Sequence, residues 1–435
     1  MKRCDQPLVF VERGSSSRPT CFPRAPRSIE QWTGEAAAKR GAIVDNPLIV
    51  DNHPTPGEKS SLKITDVEAI ILRQPTLDDA IADGSQDDLV IKVHTDEGIT
   101  GIGEVDSAPE AVQALVNRRS SHAIAGSLHD LLVGEDPREV ERLWRKMYRG
   151  LIYIGRRGIA LHALSGIDIA LWDIRGKAEG KPLHELLGGA KRDKVRAYAS
   201  MLMPETTEET AERVGALCDD GFTAVKLGWG PLGRDPKQDV ELAAAAKEAA
   251  GDCEILIDAG LGYGADAKTA IEVARELEQI GIFWLEEPFE PDEYEAYAEL
   301  ADTVGIRIAA GEQDTTVWGF RELIERGHVD LVQPDVTRCG GITEWLRIAE
   351  LAREHGVETV PHAWKSGIIK AASLHCNAVI PDALFQEYCV ADTPINQSLT
   401  RERLPIDRDG FVAVPTGPGL GVELDEEIVE RYRVE

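Results

Sequence analysis

The sequence predicts an α/β barrel of the (β/α)8 type, preceded by a smaller α+β unit. Three observations predict it. From residue 195 onward, eight short apolar stretches alternate with amphipathic helical ones. No glycine-rich phosphate loop follows the first stretch, which argues against an open doubly wound sheet. Polar residues recur at the ends of the apolar stretches, one strand-plus-helix unit apart.

The elements follow in order. The segment LKITDVEAIIL (62–72) reads as a strand, and DLVIKVHTDEGITGIGEVD (88–106) as a hairpin turning at Asp96, Glu97 and Gly98. Helical stretches are predicted over 107–133, 137–149 and 157–177. The last is apolar around much of its circumference and is expected to be buried on several sides. These elements form the α+β unit, residues 61–190. The barrel strands are VRAYAS, TAVKLG, EILIDAG, IFWLEEP, IRIAAGE, VDLVQPD, VETVPH and ALFQEY, placing the barrel at 191–389. Between them, ITEWLRIAELAREHG spaces Ile342, Trp345, Leu346 and Ala349 at i, i+3, i+4, i+7. The tail, about 390–435, is expected to pack back on the small unit and complete it. Residues 1–60 differ from the rest: nine basic and seven acidic residues, Pro, Ser and Arg in quantity, and no sustained period. They read as a disordered or loosely attached extension, or as the product of an upstream start site.

Composition narrows the function. With 435 residues and 43% hydrophobic content the chain can bury a large core and a smaller one. It has no apolar run long enough to span a membrane, and its basic start lacks a secretory apolar stretch, so a cytoplasmic protein is expected. The net charge is −28, and the basic residues are 16 Lys and 32 Arg. Such a surface suits high salt, hence a halophilic source, and disfavours nucleic acid or anionic membranes as partners. Seven cysteines without a C-x-x-C pair imply reduced thiols rather than a disulfide framework or zinc cluster. Cys339 lies near the residues discussed next, but no base motif accompanies it as a nucleophile.

The strand ends carry Lys226, Asp258, Glu286 with Glu287, Glu312, Asp335, His362 and Glu387. From Asp258 onward the spacings are 28, 26, 23, 27 and 25 residues, so one structural slot repeats. A single acid at a strand end is ordinarily a helix cap or a solvated loop residue. Three successive acids after apolar runs, in ILID, FWLEE and IAAGE, would repel one another unless they share a hard cation. An all-oxygen set predicts Mg²⁺, with Mn²⁺ next, held by Asp258, Glu286 and Glu312. Glu287 would stand behind them.

The motifs GIDIALWDIRGKAEGKPLHELLGG, VKLG, IDAG, WLEEP, AAGE, QPD…CGGITE and PHAW occur in an order that resembles the mandelate racemase branch of the enolase superfamily, over about residues 62–430. The resemblance implies an α+β capping domain over a modified TIM-type barrel, (β/α)7β, and Mg²⁺ on the three acids named above. It implies removal of the proton α to a substrate carboxylate, giving a metal-bound enediolate, with a His or Lys base. Asp335 and His362 match the family's Asp–His dyad. Glu387 matches the strand-eight acid that hydrogen-bonds the substrate carboxylate, for which it must be protonated or share a proton. Oligomers, dimer to octamer, are common in the family, so a homo-oligomer is expected.

Two positions depart from the family's patterns. Racemases of the branch carry Lys-x-Lys on strand two; here Lys226 is followed by Gly228. Some sugar-acid dehydratases carry a histidine two residues after the strand-three ligand; here that residue is Gly260. Racemisation needs bases on two faces, whereas a syn dehydration needs one histidine that acts as base and then as acid. The expected activity is therefore a hydro-lyase acting on a sugar acid, an aldonate or aldarate, and yielding a 2-keto-3-deoxy acid. Lys226 would sit beside the substrate carboxylate, or serve only as a salt-bridge lysine. The loop 73–88 of the small unit is polar and acidic, which suits a hydroxylated substrate. Lys365 would reach the substrate or a helix N-terminus, and Arg338 and Trp364 are undecided. Competing readings are an epimerase or cycloisomerase on the same scaffold, a metal-dependent aldolase, and a non-catalytic homologue, which the complete ligand set and dyad disfavour.

Overall fold

A computed structural model describes residues 62–434; the expectation for residues 1–60 lies outside them. The chain opens with an antiparallel sheet, β1 (Ile64–Arg73), β2 (Asp87–Thr95) and β3 (Thr100–Glu104), in that spatial order. Its hairpin turns where predicted: Thr95 N donates to Ile99 O at 3.1 Å, and Gly98 takes a φ of 79°.

The stretch 107–133 is two helices, Pro109–Asn117 and Leu128–Leu132, where one was expected. The reason is local. Between them NRRSSHAIAG breaks the apolar period, His122 and Ala125 form a bridge, and the Ser127 side chain caps the second helix by accepting from Asp130 N. The helices Val140–Leu151 and Ile159–Glu179 follow, the latter buried almost continuously from Ala160 to Ile174. β3 lies directly on it. A Cβ on Gly103 would stand 1.9 Å from Gly166 O, so only bare backbone approaches that closely.

The barrel strands are β4 (Lys194–Leu202), β5 (Ala224–Gly228), β6 (Glu254–Asp258), β7 (Trp284–Glu286), β8 (Arg307–Ala310), β9 (Leu331–Val332), β10 (Glu358–Thr359) and β11 (Gln386–Cys389). All pair in parallel, in the order β11-β4-β5-β6-β7-β8-β9-β10. Seven helices connect them, Thr207–Asp219, Pro236–Ala249, Ala267–Ile280, Tyr294–Thr303, Thr316–Gly327, Gly341–Glu354 and Gly367–Val379, and β11 leaves the barrel without a long helix of its own. The architecture is thus (β/α)7β with an α+β cap. The barrel interior is plugged by one residue from each strand position: Tyr198, Ala224, Leu256, Trp284, Ala309, Leu331, Val360 and Phe385, all buried. Three large rings share this layer with smaller aliphatic side chains, and Tyr198, Trp284 and Phe385 meet edge to face at 5.6–5.9 Å.

The tail divides. β12 (Phe411–Ala413) pairs antiparallel with β4, on the barrel rather than on the cap. Further along it returns to the cap: Leu420 N donates to Asp173 Oδ1 at 2.9 Å, Glu423 pairs with Lys177, and beyond the last helix, Glu426–Tyr432, Val434 N donates to Ile71 O at 2.9 Å and Arg433 pairs with Glu68. A second tie joins cap to barrel. Glu104, at the end of β3, accepts from Ser366 N at 3.1 Å and Ile369 N at 2.8 Å, at the start of the helix Gly367–Val379. Among the described residues no helix is long and apolar enough to cross a membrane.

Candidate active site

Strand ends set the site. β6 ends at Asp258 and β7 at Glu286, which are register partners. Glu312 follows β8 by two residues. All three are buried, and one carboxylate oxygen from each lies within 4.8 Å of the others. Burial first, then mutual repulsion, raises the Asp258 carboxyl well above its ordinary range and raises Glu286 too. Behind them Glu287, with a φ of 37°, is raised well above its usual range by burial and by Glu312. Oxygen-only donors, buried, converging and mutually repelling, fit a hard divalent cation. A Trp284 indole N–H donates to Glu286 Oε2 at 2.9 Å and Gly260 N to Asp258 Oδ1 at 2.9 Å, fixing the two side chains.

The dyad stands beside this cluster. The ends of β9 and β10 extend into a parallel bridge between Asp335 and His362. Asp335 Oδ1 accepts both the N–H and the hydroxyl of Thr337 at 2.6 Å, leaving Oδ2 to accept from His362 Nδ1 at 2.6 Å. His362 Nε2 is 3.3 Å from Glu312 Oε2. Burial alone would lower the imidazole pKa, but the carboxylates of Glu312, Glu387 and Asp335 outweigh it and lift it to about 9. The strongest of these pulls comes from Glu312, whose charge a bound cation would offset.

Lys226 Nζ pairs with Glu286 Oε1 at 2.6 Å and Glu387 Oε1 at 2.9 Å, with Asp258 Oδ2 at 3.8 Å. Burial lowers its pKa, yet Glu286 and Glu387 dominate and raise it, so it stays an ammonium. Glu387 is the second carboxylate partner of this lysine. Burial pushes its carboxyl up, but Lys226 and His362 pull it to about 2, so it is ionised rather than protonated. Its Oε2 accepts from Ala363 N at 2.5 Å, and it does not line the cavity. The buried Lys365 ammonium donates to Gly84 O and, at 2.7 Å, to Asp87 O, with Asp106 Oδ1 at 3.4 Å. It pins the cap loop and does not line the cavity. Cys339 is no nucleophile: burial holds its thiol well above the ordinary range.

The cavity between barrel and cap measures about 350 Å³. Lys226, Asp258, Glu312 and His362 line its floor; Ala82, Asp83 and Gly84 of the loop 73–88 close its roof. Several lining residues escaped the sequence reading. Asp106, after β3, is bound by Arg338 Nη2 at 2.5 Å and by its Nε to the backbone oxygen at 3.1 Å. Arg338 and Asp106 are 232 residues apart, so no local pattern joins them. Trp229 stands over Gly260: a Cβ there would lie 2.7 Å from the indole. A Cβ at Gly228 would lie 2.7 Å from Asp258 Oδ2. Both glycine positions are therefore closed to side chains.

Comparisons with known proteins agree with this geometry. Residues 66–188 match the family model for the N-terminal domain of mandelate racemase / muconate lactonizing enzyme, and residues 209–428 that for the enolase C-terminal domain-like fold. The chain is 34% identical over 359 residues to D-galactarolactone cycloisomerase of Agrobacterium fabrum, covering 80% of this chain and 91% of that one. It is 33% identical over 359 residues to arabinonate dehydratase of Saccharolobus solfataricus, with 81% and 92% covered. The crystal structure of 3,6-anhydro-D-galactonate cycloisomerase from Zobellia galactanivorans superposes with a TM-score of 0.78 at 31% identity, covering 86% of this chain and 100% of that one.

Proposed function

This chain belongs to the mandelate racemase / muconate lactonizing enzyme family, and on that premise we propose that it is a sugar-acid dehydratase that works from one face of its substrate. The observation that carries the reading is the juxtaposition of three buried, converging carboxylates with a single Asp–His dyad and no second base on the glycines opposite. Asp258, Glu286 and Glu312 hold the divalent ion, Mg²⁺ with Mn²⁺ as a substitute. When bound, it supplies positive charge against the charge that develops on the substrate carboxylate.

The remaining steps use this chain's own residues. Lys226 brings a fixed ammonium beside the carboxylate end of the substrate. Asp335 fixes the His362 tautomer with Nδ1 protonated, so Nε2 is the basic atom. His362 Nε2 takes the proton from Cα. The Cβ–O bond then breaks, and the same imidazolium returns the proton to the departing hydroxyl, which leaves as water. The enol that remains tautomerises to the 2-keto-3-deoxy acid. Glu387 holds Lys226 and the backbone N–H after His362 in place. The cap roof excludes water.

The test is a screen of aldonic and aldaric acids with Mg²⁺, read as keto acid formed. At least one acid is dehydrated, and His362→Asn abolishes the activity. No turnover with metal bound refutes the reading. Solvent deuterium entering Cα without loss of water supports the epimerase alternative instead, and ring formation or opening without net water loss the cycloisomerase one.

A further inference from the structure

We propose that the cavity selects aldonates, with one carboxylate, over aldarates, which carry a second at the far end. The inference rests on the dehydratase reading for the end of the substrate that faces the floor. It follows from where the cations are spent.

Among the described residues two cationic side chains line the cavity, Lys226 and Arg338. Lys226 is committed to Glu286 and Glu387 on the floor. Arg338 uses its Nε and Nη2 on Asp106, and its Nη1 faces the Glu312 carbonyl at 3.4 Å and carboxylate at 3.5 Å. Burial lowers its pKa, but Asp106, Asp335 and Glu312 raise it, so it stays charged and fully paired. The third cation nearby, Lys365, is turned to the cap backbone and Asp106. No guanidinium or ammonium remains for a second carboxylate.

The roof adds the opposite sign. Asp83 lines the cavity between Ala82 and Gly84. Its Oδ1 accepts from Ser85 N at 2.9 Å and from Trp364 Nε1 at 3.4 Å, and its Oδ2 has no protein hydrogen-bond donor among the described residues. A carboxylate brought to this end meets another carboxylate, half-buried in the cavity wall, and like charges repel. A terminal hydroxymethyl group meets a free acceptor for its O–H. The same roof that accepts a neutral sugar-acid end thus repels a charged one.

The experiment compares a six-carbon aldonic acid with the aldaric acid of the same configuration, in turnover by the wild-type enzyme and in calorimetric binding to Mg²⁺-loaded His362→Asn. The aldonate is expected to win by at least about 10²-fold in kcat/KM and in affinity. Asp83→Asn, which keeps the capping acceptor, narrows the ratio about tenfold. An aldarate bound as tightly as the aldonate, an unchanged ratio in Asp83→Asn, or no binding of either acid overturns the proposal. If the binding ratio is as expected but neither acid is dehydrated, the preference stands and the dehydratase reading falls.

Discussion

The wall of the cavity that carries His362 and the wall across from it are made of different chemistry. In the strand order, β6 stands four strands from β10. On the β10 side, His362, Asp335, Glu312 and Arg338 form a continuous chain of ion pairs and hydrogen bonds. On the β5–β6 side, beyond the ligand Asp258 and Lys226, the positions that could carry a second proton donor are Gly228 and Gly260. Their space is taken by Asp258 and by the Trp229 indole. The difference teaches that the proposed one-sided chemistry would be enforced by packing as well as by the absence of a base at these two positions. A lysine or histidine restored at either glycine would have no room.

Four substitutions break or sharpen that contrast, from the largest expected effect to the smallest. His362→Asn removes the proposed base; α-proton exchange in D2O and product formation fall by at least about 10³-fold. Residual exchange above about a tenth of wild type would place the base elsewhere. Asp335→Asn leaves the ring in place but frees its tautomer, and kcat falls about 10²-fold or more while KM changes little. A change confined to KM would contradict the orienting role. Gly260→Ala meets both a φ of 54° and the indole of Trp229. Denaturant unfolding should show a loss of about 1–2 kcal/mol from the left-handed backbone alone. In the Trp229→Ala background the loss shrinks to that backbone part, because the clash is gone. Equal losses in both backgrounds would mean that the indole does not occupy this space. Trp229→Ala by itself is the mildest: it opens the far wall, raises KM about tenfold, and leaves C2 of recovered substrate uninverted, since no base takes the place of the ring. Inversion detected by NMR would reveal a second proton path.

Which parts were legible depends on the range of the interactions. The barrel and the carboxylate cluster could be read because each strand is a short apolar run and each ligand stands at its end, one unit after the last. The pairing of Asp335 with His362 could be read for the same reason: adjacent strands put their ends together. The split of 107–133 was missed because a polar interruption is weighed against helical period only when a cap such as Ser127 is recognised. Lys365 and Glu387 were placed in the right region, but their protein partners were not. Their environment is set by Gly84, Asp87 and Asp106 of the cap in one case and by Lys226 in the other. Asp106 and Trp229 gave no signal, because they become part of the site only when cap and barrel close on one another, and Asp83 was legible only as one acid of the loop 73–88. Arg338, three residues after Asp335 in the loop that leaves β9, was singled out but its role was left open, because its partner Asp106 lies in the cap.

Four consecutive residues, His362 to Lys365, carry the base, a hydrogen-bonded backbone amide, an aromatic wall and the anchor of the roof. Immediately beyond them, Glu104 holds the start of the next helix from the cap side. Lifting the roof therefore means breaking the ammonium's hold on Gly84 and Asp87, at about 1.5–3 kcal/mol for each charge-assisted hydrogen bond. The anchor of the cap loop is thus mounted on the same short span as the proposed base.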